Sequence, residues 1–156
     1  MKTVPDENRA VSPQEDALSS EEKLRLYFTM LRIRQIEERI GLVYLEQEMR
    51  CPCHLYIGQE AVATGACAHL GKEDTLFGTY RSHGIYLAMG GDLKALVAEL
   101  YGKETGCTHG RGGSMQLISP ENGLICTSAI VGGTLPMAVG AALSAQILGT
   151  ERVAMV

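Results

Sequence analysis

With 156 residues, 46% hydrophobic and 21% charged, the chain has ordinary globular composition and enough length for one modest core, so one domain is the ceiling. A net charge of -4 without any run of Lys or Arg leaves no electrostatic footprint for nucleic acid or an anionic membrane surface, and no stretch approaches the roughly 18 apolar residues of a spanning helix. Five scattered cysteines suit reduced thiols, and a polar, acidic start lacks the apolar core of a signal peptide, so a cytoplasmic protein is expected.

Residues 1–18 carry Pro, Asp and Glu without an apolar period and read as a flexible N-terminal arm. Ser19 with Glu22 three residues on forms a capping-box pattern. It opens a long amphipathic helix whose apolar stripe is Leu24, Phe28, Leu31, Ile33, Ile36, Ile40 and Val43. Lys23, Arg25, Arg32, Arg34, Glu37 and Glu38 are expected on its solvated face. Residues 59–70 are Ala-rich and predict a buried helix, with Gly65 inside it for close packing. Asp92 caps a further helix bearing Leu93, Leu96, Val97, Leu100 and Tyr101, which Gly102 ends.

The next 32 residues, from Gly102 to Gly133, are rich in Gly, Ser and Thr and have no period. A loop of that length in a compact domain implies binding. Thr134–Leu148 follows as a helix of small side chains, Ala138, Gly140, Ala141, Ala142, Ser144 and Ala145, expected to be packed on more than one side. Val153–Val156 then reads as the start of a buried strand, which implies a continuation or a partner chain. The order of elements is that of the first part of an open α/β domain.

Four constellations could carry chemistry. Cys51, Cys53, His54, Cys67 and His69 have poor zinc spacing and read better as small side chains in a close-packed region. Gly65 to Gly71-Lys72 fails as a phosphate loop, because the glycine gap is one residue too long and Glu73 stands where Ser or Thr must hold magnesium. Gly110-Arg111-Gly112-Gly113 has no preceding strand pattern, and Met115 occupies the third glycine position of a dinucleotide fingerprint. In Thr79-Tyr80-Arg81-Ser82-His83-Gly84, a guanidinium beside a phenol and an imidazole offers donors for a phosphate or carboxylate. His54, alone among apolar neighbours, reads by itself as a core histidine. The residues alone thus describe an anion-binding α/β fragment with a glycine-rich loop.

Taken in order, YFTMLRIRQIEERI, HLYIGQEAVATGA, TYRSHG with Gly90-Gly91, GCTHGRGGSM and AIVGGTLPMAVGAAL resemble the alpha subunit of the thiamine-diphosphate-dependent first component of 2-oxo acid dehydrogenase complexes, of the pyruvate and acetoin dehydrogenase type. The resemblance runs from about Leu18 to Val156. It implies an α/β fold, the thiamine-diphosphate-binding three-layer fold with a parallel sheet, of which residues 19–156 would be the N-terminal, largely helical and loop portion. By this resemblance, Tyr80 and Arg81 match the pair that holds the cofactor diphosphate, and Ala129 and Val131 match the positions that hold the aminopyrimidine. Ala129 departs from a frequent Gly, although a backbone contact can survive the change. His54 matches a catalytic histidine of the active-site channel, assisting the substrate or the lipoyl group.

The glycine-rich stretch 110–113, with Ser114 and Met115, would be a loop near the cofactor entrance. His83 and His109 receive no role, and Glu60 reads as a buried structural acid, because in the family the activating glutamate comes from the beta subunit. The resemblance further implies oxidative decarboxylation of a 2-oxo acid, pyruvate first and acetoin chemistry as the alternative, with acyl transfer to a lipoyl-bearing acyltransferase. The expected assembly has two alpha and two beta chains. Magnesium is expected with ligands beyond residue 156, because the Gly-Asp-Gly motif would follow the strand begun at Val153. A reading of another class is a non-catalytic split subunit that serves to pair with a second chain.

Overall fold

The computed structural model describes residues 18–49 and 51–156, so the arm expected over 1–18 lies, apart from exposed Leu18, outside the described residues. Helix α1 spans Ser20–Tyr44 and begins at the expected cap: the Ser19 hydroxyl accepts from the Glu22 N–H at 3.2 Å and Glu22 Oε2 accepts from the Ser19 N–H at 2.8 Å. Helices α2 (Glu60–Cys67), α3 (His83–Ala88), α4 (Leu93–Leu100) and α5 (Leu135–Leu148) follow. The expected cap of α4 is present, with Asp92 Oδ1 accepting from the Lys94 N–H at 2.9 Å.

Three short strands, β1 (Thr75–Gly78), β2 (Leu124–Thr127) and β3 (Ala154–Met155), form a parallel sheet in the order β2-β1-β3. Sequence patterning missed β1, β2 and α3. Four-residue strands are too short to show a period, and turn-forming residues surround each of them. β1 is central, with Leu76 opposite Leu124 on one side and Met155 on the other. Ile33, Ile40, Tyr56, Leu76, Leu96 and Leu124 anchor one core that joins α1, α4 and the sheet. No helix among the described residues is long and apolar enough to cross a membrane.

Several expectations are corrected. Glu37 is not on a solvated face; it is fully buried, one turn from Ile33 and from Ile40. Leu24, Phe28 and Leu31 are exposed, because the apolar contacts of α1 begin only at Ile33. Gly65 meets no close neighbour, so close packing does not account for it. Helix α5 buries Ala138 and Ala145 on one side only, while Val139, Leu143 and Ile147 on its remaining surface are exposed. The strand at the end of the chain is half-buried, between exposed Val153 and Val156.

The glycine-rich stretch is not a free loop, because the buried Glu99 carboxylate of α4 organises it. Its Oε2 accepts N–H bonds from Thr108 at 2.8 Å and Gly110 at 2.9 Å, and its Oε1 accepts from Gly112 at 2.7 Å and Gly113 at 3.0 Å. A Cβ at Gly106 would collide with that carboxylate and with the Glu99 backbone, so only glycine lets the chain pass there. Gly110 adopts a φ of 73°, in the left-handed region that favours glycine. Burial alone would raise the Glu99 pKa, but the bonds from Thr108, Gly110 and Gly112 outweigh it and hold the carboxyl below its ordinary range.

Because the folded value is the lower one, the stability contributed by Glu99 is fully present above the unfolded value of about 4.3 and is lost as pH falls through the folded value. Glu99→Gln is expected to cost roughly 2–3 kcal/mol at neutral pH, since an amide nitrogen would face N–H donors, and to flatten the acid limb of the stability curve. Urea unfolding between pH 3 and 7 checks both; an unchanged acid limb refutes the clamp.

Candidate functional site

The carboxyl ends of β1 and β2 lie side by side, and the chain leaves them into two segments singled out in the sequence. After β1 come Thr79, Tyr80 and Arg81; after β2 come Ser128, Ala129 and Val131, and the Ser128 N–H donates to the Gly78 carbonyl at 3.2 Å. In parallel α/β sheets, ligands bind outside the carboxyl ends of the strands. A cavity of about 420 Å³ opens at this end of β1, and Gly78, Thr79, Tyr80 and Arg81 are among its walls.

Three of the expected site residues meet there. The His54 and Tyr80 rings pack edge to face with centroids 4.8 Å apart, and the Arg81 guanidinium carbon lies 5.9 Å from the centre of the Tyr80 ring. Arg81 Nη1 donates to the Leu55 carbonyl at 2.6 Å, which fixes the fork and leaves its other N–H groups for an anion. His54 Nδ1 is buried with no hydrogen-bond partner, so Nε2 is the ring nitrogen available to an incoming group. Ala129 and Val131 are exposed and share the sheet edge with this cluster; no hydrogen bond among the described residues joins them to it.

Behind the cluster lies a buried polar chain. His83 Nδ1 is 2.7 Å from Glu37 Oε1, and His83 Nε2 is 2.8 Å from Ser114 Oγ. Glu37 Oε2 accepts from the Tyr56 N–H at 2.8 Å, the His54 N–H donates to Ser114 Oγ at 3.3 Å, and Ser82 Oγ donates to the Ser114 carbonyl at 2.7 Å. Acid, imidazole and hydroxyl follow the order of a hydrolase triad. Here all three side chains are 0% exposed, so no carbonyl carbon can reach Ser114 and the hydroxyl does not serve as a nucleophile.

Sequence reasoning left His83 without a role and missed Glu37 and Ser114. A signal for Glu37 existed, since it stands at i+4 from Ile33 and i−3 from Ile40, a polar residue inside the apolar stripe. No comparable signal marks Ser114. Glu60 is the expected buried acid: it accepts from Arg34 Nε at 2.7 Å and from the Gly58 N–H at 3.0 Å. His109 is an exposed residue with a φ of 56°, 3.4 Å from Glu104 at the surface, where an ion pair contributes little. The Cys and His group of the sequence forms no metal cluster among the described residues. Burial pushes the Cys53 thiol up to about 12 and the Cys67 thiol up to about 11, so neither is poised as a thiolate ligand.

Comparison with known proteins places the chain in a family. The family described as dehydrogenase E1 component matches residues 28–156. The alpha subunit of acetoin:2,6-dichlorophenolindophenol oxidoreductase from Bacillus subtilis (strain 168) is 39% identical over 139 residues, which cover 89% of this chain and 42% of that protein. The alpha subunit of the pyruvate dehydrogenase E1 component from Zymomonas mobilis is 45% identical over 126 residues, covering 80% of this chain and 35% of its own length. The chloroplastic subunit alpha-3 from Arabidopsis thaliana is 40% identical, covering 83% and 30% respectively. The chain therefore spans less than half the length of these relatives, and within that span it belongs to the dehydrogenase E1 component family.

Proposed function

We propose that this chain provides the diphosphate-holding part of the alpha subunit of a thiamine-diphosphate-dependent 2-oxo acid dehydrogenase first component, within the three-layer fold of that class. The observation that carries this reading is the meeting of His54, Tyr80 and Arg81 at the carboxyl end of a central parallel strand, beside the Ala129–Val131 segment that leaves the neighbouring one. The residues fit such a cofactor: Arg81 keeps unsatisfied donors at a cavity wall, and His54 presents one ring nitrogen while the other is sealed.

When bound, thiamine diphosphate supplies a nucleophilic carbon and an electron sink for the loss of carbon dioxide from the 2-oxo acid. Tyr80 and Arg81 would hold the diphosphate, with the Tyr80 ring bracing the guanidinium, while Ala129 and Val131 would border the aminopyrimidine. His54 Nε2 would give or accept a hydrogen bond with the substrate or the arriving lipoyl group. Magnesium belongs to this reading, and among the described residues no group of three or more His, Cys, Asp or Glu side chains is placed to hold it. A beta subunit would complete the site, and a lipoyl-bearing acyltransferase would take the acyl group. Pyruvate is the proposed substrate. The acetoin-type relative from Bacillus subtilis supports acetoin chemistry as the second reading.

Two substitutions test the reading in the chain purified with its beta subunit. Arg81→Ala is expected to weaken thiamine diphosphate binding by about tenfold or more, because a charge-assisted contact is removed, with a smaller effect on folding. Tyr80→Phe is expected to weaken it by about fivefold while leaving the ring stack and the Tm in place, since only the phenolic hydroxyl is lost. Isothermal calorimetry beside a thermal melt reads both; an Arg81→Ala protein that binds cofactor as tightly as wild type ends the proposal.

A further inference from the structure

His54 sits in a segment held at three consecutive backbone groups by three different parts of the chain. Its own N–H donates to Ser114 Oγ at 3.3 Å, the Leu55 carbonyl accepts from Arg81 Nη1 at 2.6 Å, and the Tyr56 N–H donates to Glu37 Oε2 at 2.8 Å. The outer two clamps are joined to each other through His83, which bridges Glu37 Oε1 and Ser114 Oγ. One buried imidazole therefore links α1, the residues around His54 and the end of the glycine-rich loop.

We propose that Ser114 and His83 are positioning residues for His54. Glu37 Oε1 holds His83 at Nδ1, 2.7 Å away, and His83 Nε2 in turn meets the Ser114 hydroxyl at 2.8 Å. That turns the Ser114 oxygen lone pairs toward the His54 N–H. With Tyr80 against its ring, His54 is left with one presented nitrogen in one orientation. The inference rests on the reading of His54 as a site residue, but its test needs no cofactor.

The test compares wild type, Ser114→Ala, Ser114→Thr and Asp92→Ala in the full chain. Readouts are thermal melting, the His54 imidazole proton shift by NMR, and the rate of His54 modification by diethyl pyrocarbonate, resolved by peptide mass spectrometry. Ser114→Ala should shift the His54 resonance and raise its modification rate about fivefold, the expected effect of losing one net hydrogen bond. Ser114→Thr, which keeps the hydroxyl, should restore both. Asp92→Ala loses only the α4 cap and should lower Tm with His54 unchanged. A Ser114→Ala protein with lowered Tm but a wild-type His54 shift and rate overturns the proposal. Should that variant not fold, amide exchange in wild type decides: the His54 N–H must be protected as strongly as that of Tyr56, and exchange at an unprotected rate refutes the clamp. Failure of the wild-type complex to bind thiamine diphosphate would remove the cofactor reading and leave these His54 results standing.

Discussion

The Glu37 carboxylate is the group on which the arrangement of this chain turns. A carboxylate with no exposed surface is unfavourable unless every oxygen is matched, and both of its oxygens are: one by the His83 ring, the other by the Tyr56 N–H. Satisfying it therefore requires α1, the His54–Tyr56 segment and α3 to meet in one geometry. The residues that form the candidate site lie on or next to those same pieces, with His54 two residues before Tyr56 and Arg81 two residues before His83. The polar chain that neutralises the buried acid thus also fixes where the exposed chemistry is presented.

The glycine-rich stretch repeats this solution. Short-range sequence cannot order 32 residues without a period, yet Glu99 gathers four N–H groups of that stretch around one carboxylate. Thr127 at the end of β2 does the same on a smaller scale: its Oγ1 accepts from the Leu117 N–H at 2.7 Å and donates to the Met115 carbonyl at 3.0 Å. Ser114 lies between these two clamps. Glycines, a buried acid and a buried hydroxyl together convert a flexible composition into a fixed wall behind the site.

The two faces of the sheet end are not equally built. Around β1 the site residues are braced by an aromatic contact and a hydrogen bond, whereas Ala129 and Val131 are exposed, and α5 beyond them leaves Val139, Leu143 and Ile147 uncovered. The anion-holding half of the proposed site is therefore organised within the chain. The Ala129 and Val131 side chains that would border an aminopyrimidine are exposed.

What was legible in the amino-acid sequence was local. The capping box at Ser19, the Asp92 cap and the 3.6-residue spacing of Leu93, Leu96 and Leu100 are near-neighbour effects, and the corresponding helices are present. The donor character of Tyr80 and Arg81 was equally readable, because it depends only on residue type, while their pairing with a cofactor, and any role for His54, came from resemblance. The four-residue strands β1 and β2 were not legible, since strands of that length have no measurable period and acquire their identity from pairing. Nor were Glu37, His83, Ser114 and Glu99 as partners: their bonds span from 9 to 60 positions along the chain. The sequence by itself determined four of the five described α-helices and which side chains could bind an anion. Only the tertiary structure decided that Glu37 and Glu99 are buried and which groups they hold, because a buried polar group selects its partners in space and not by distance along the chain.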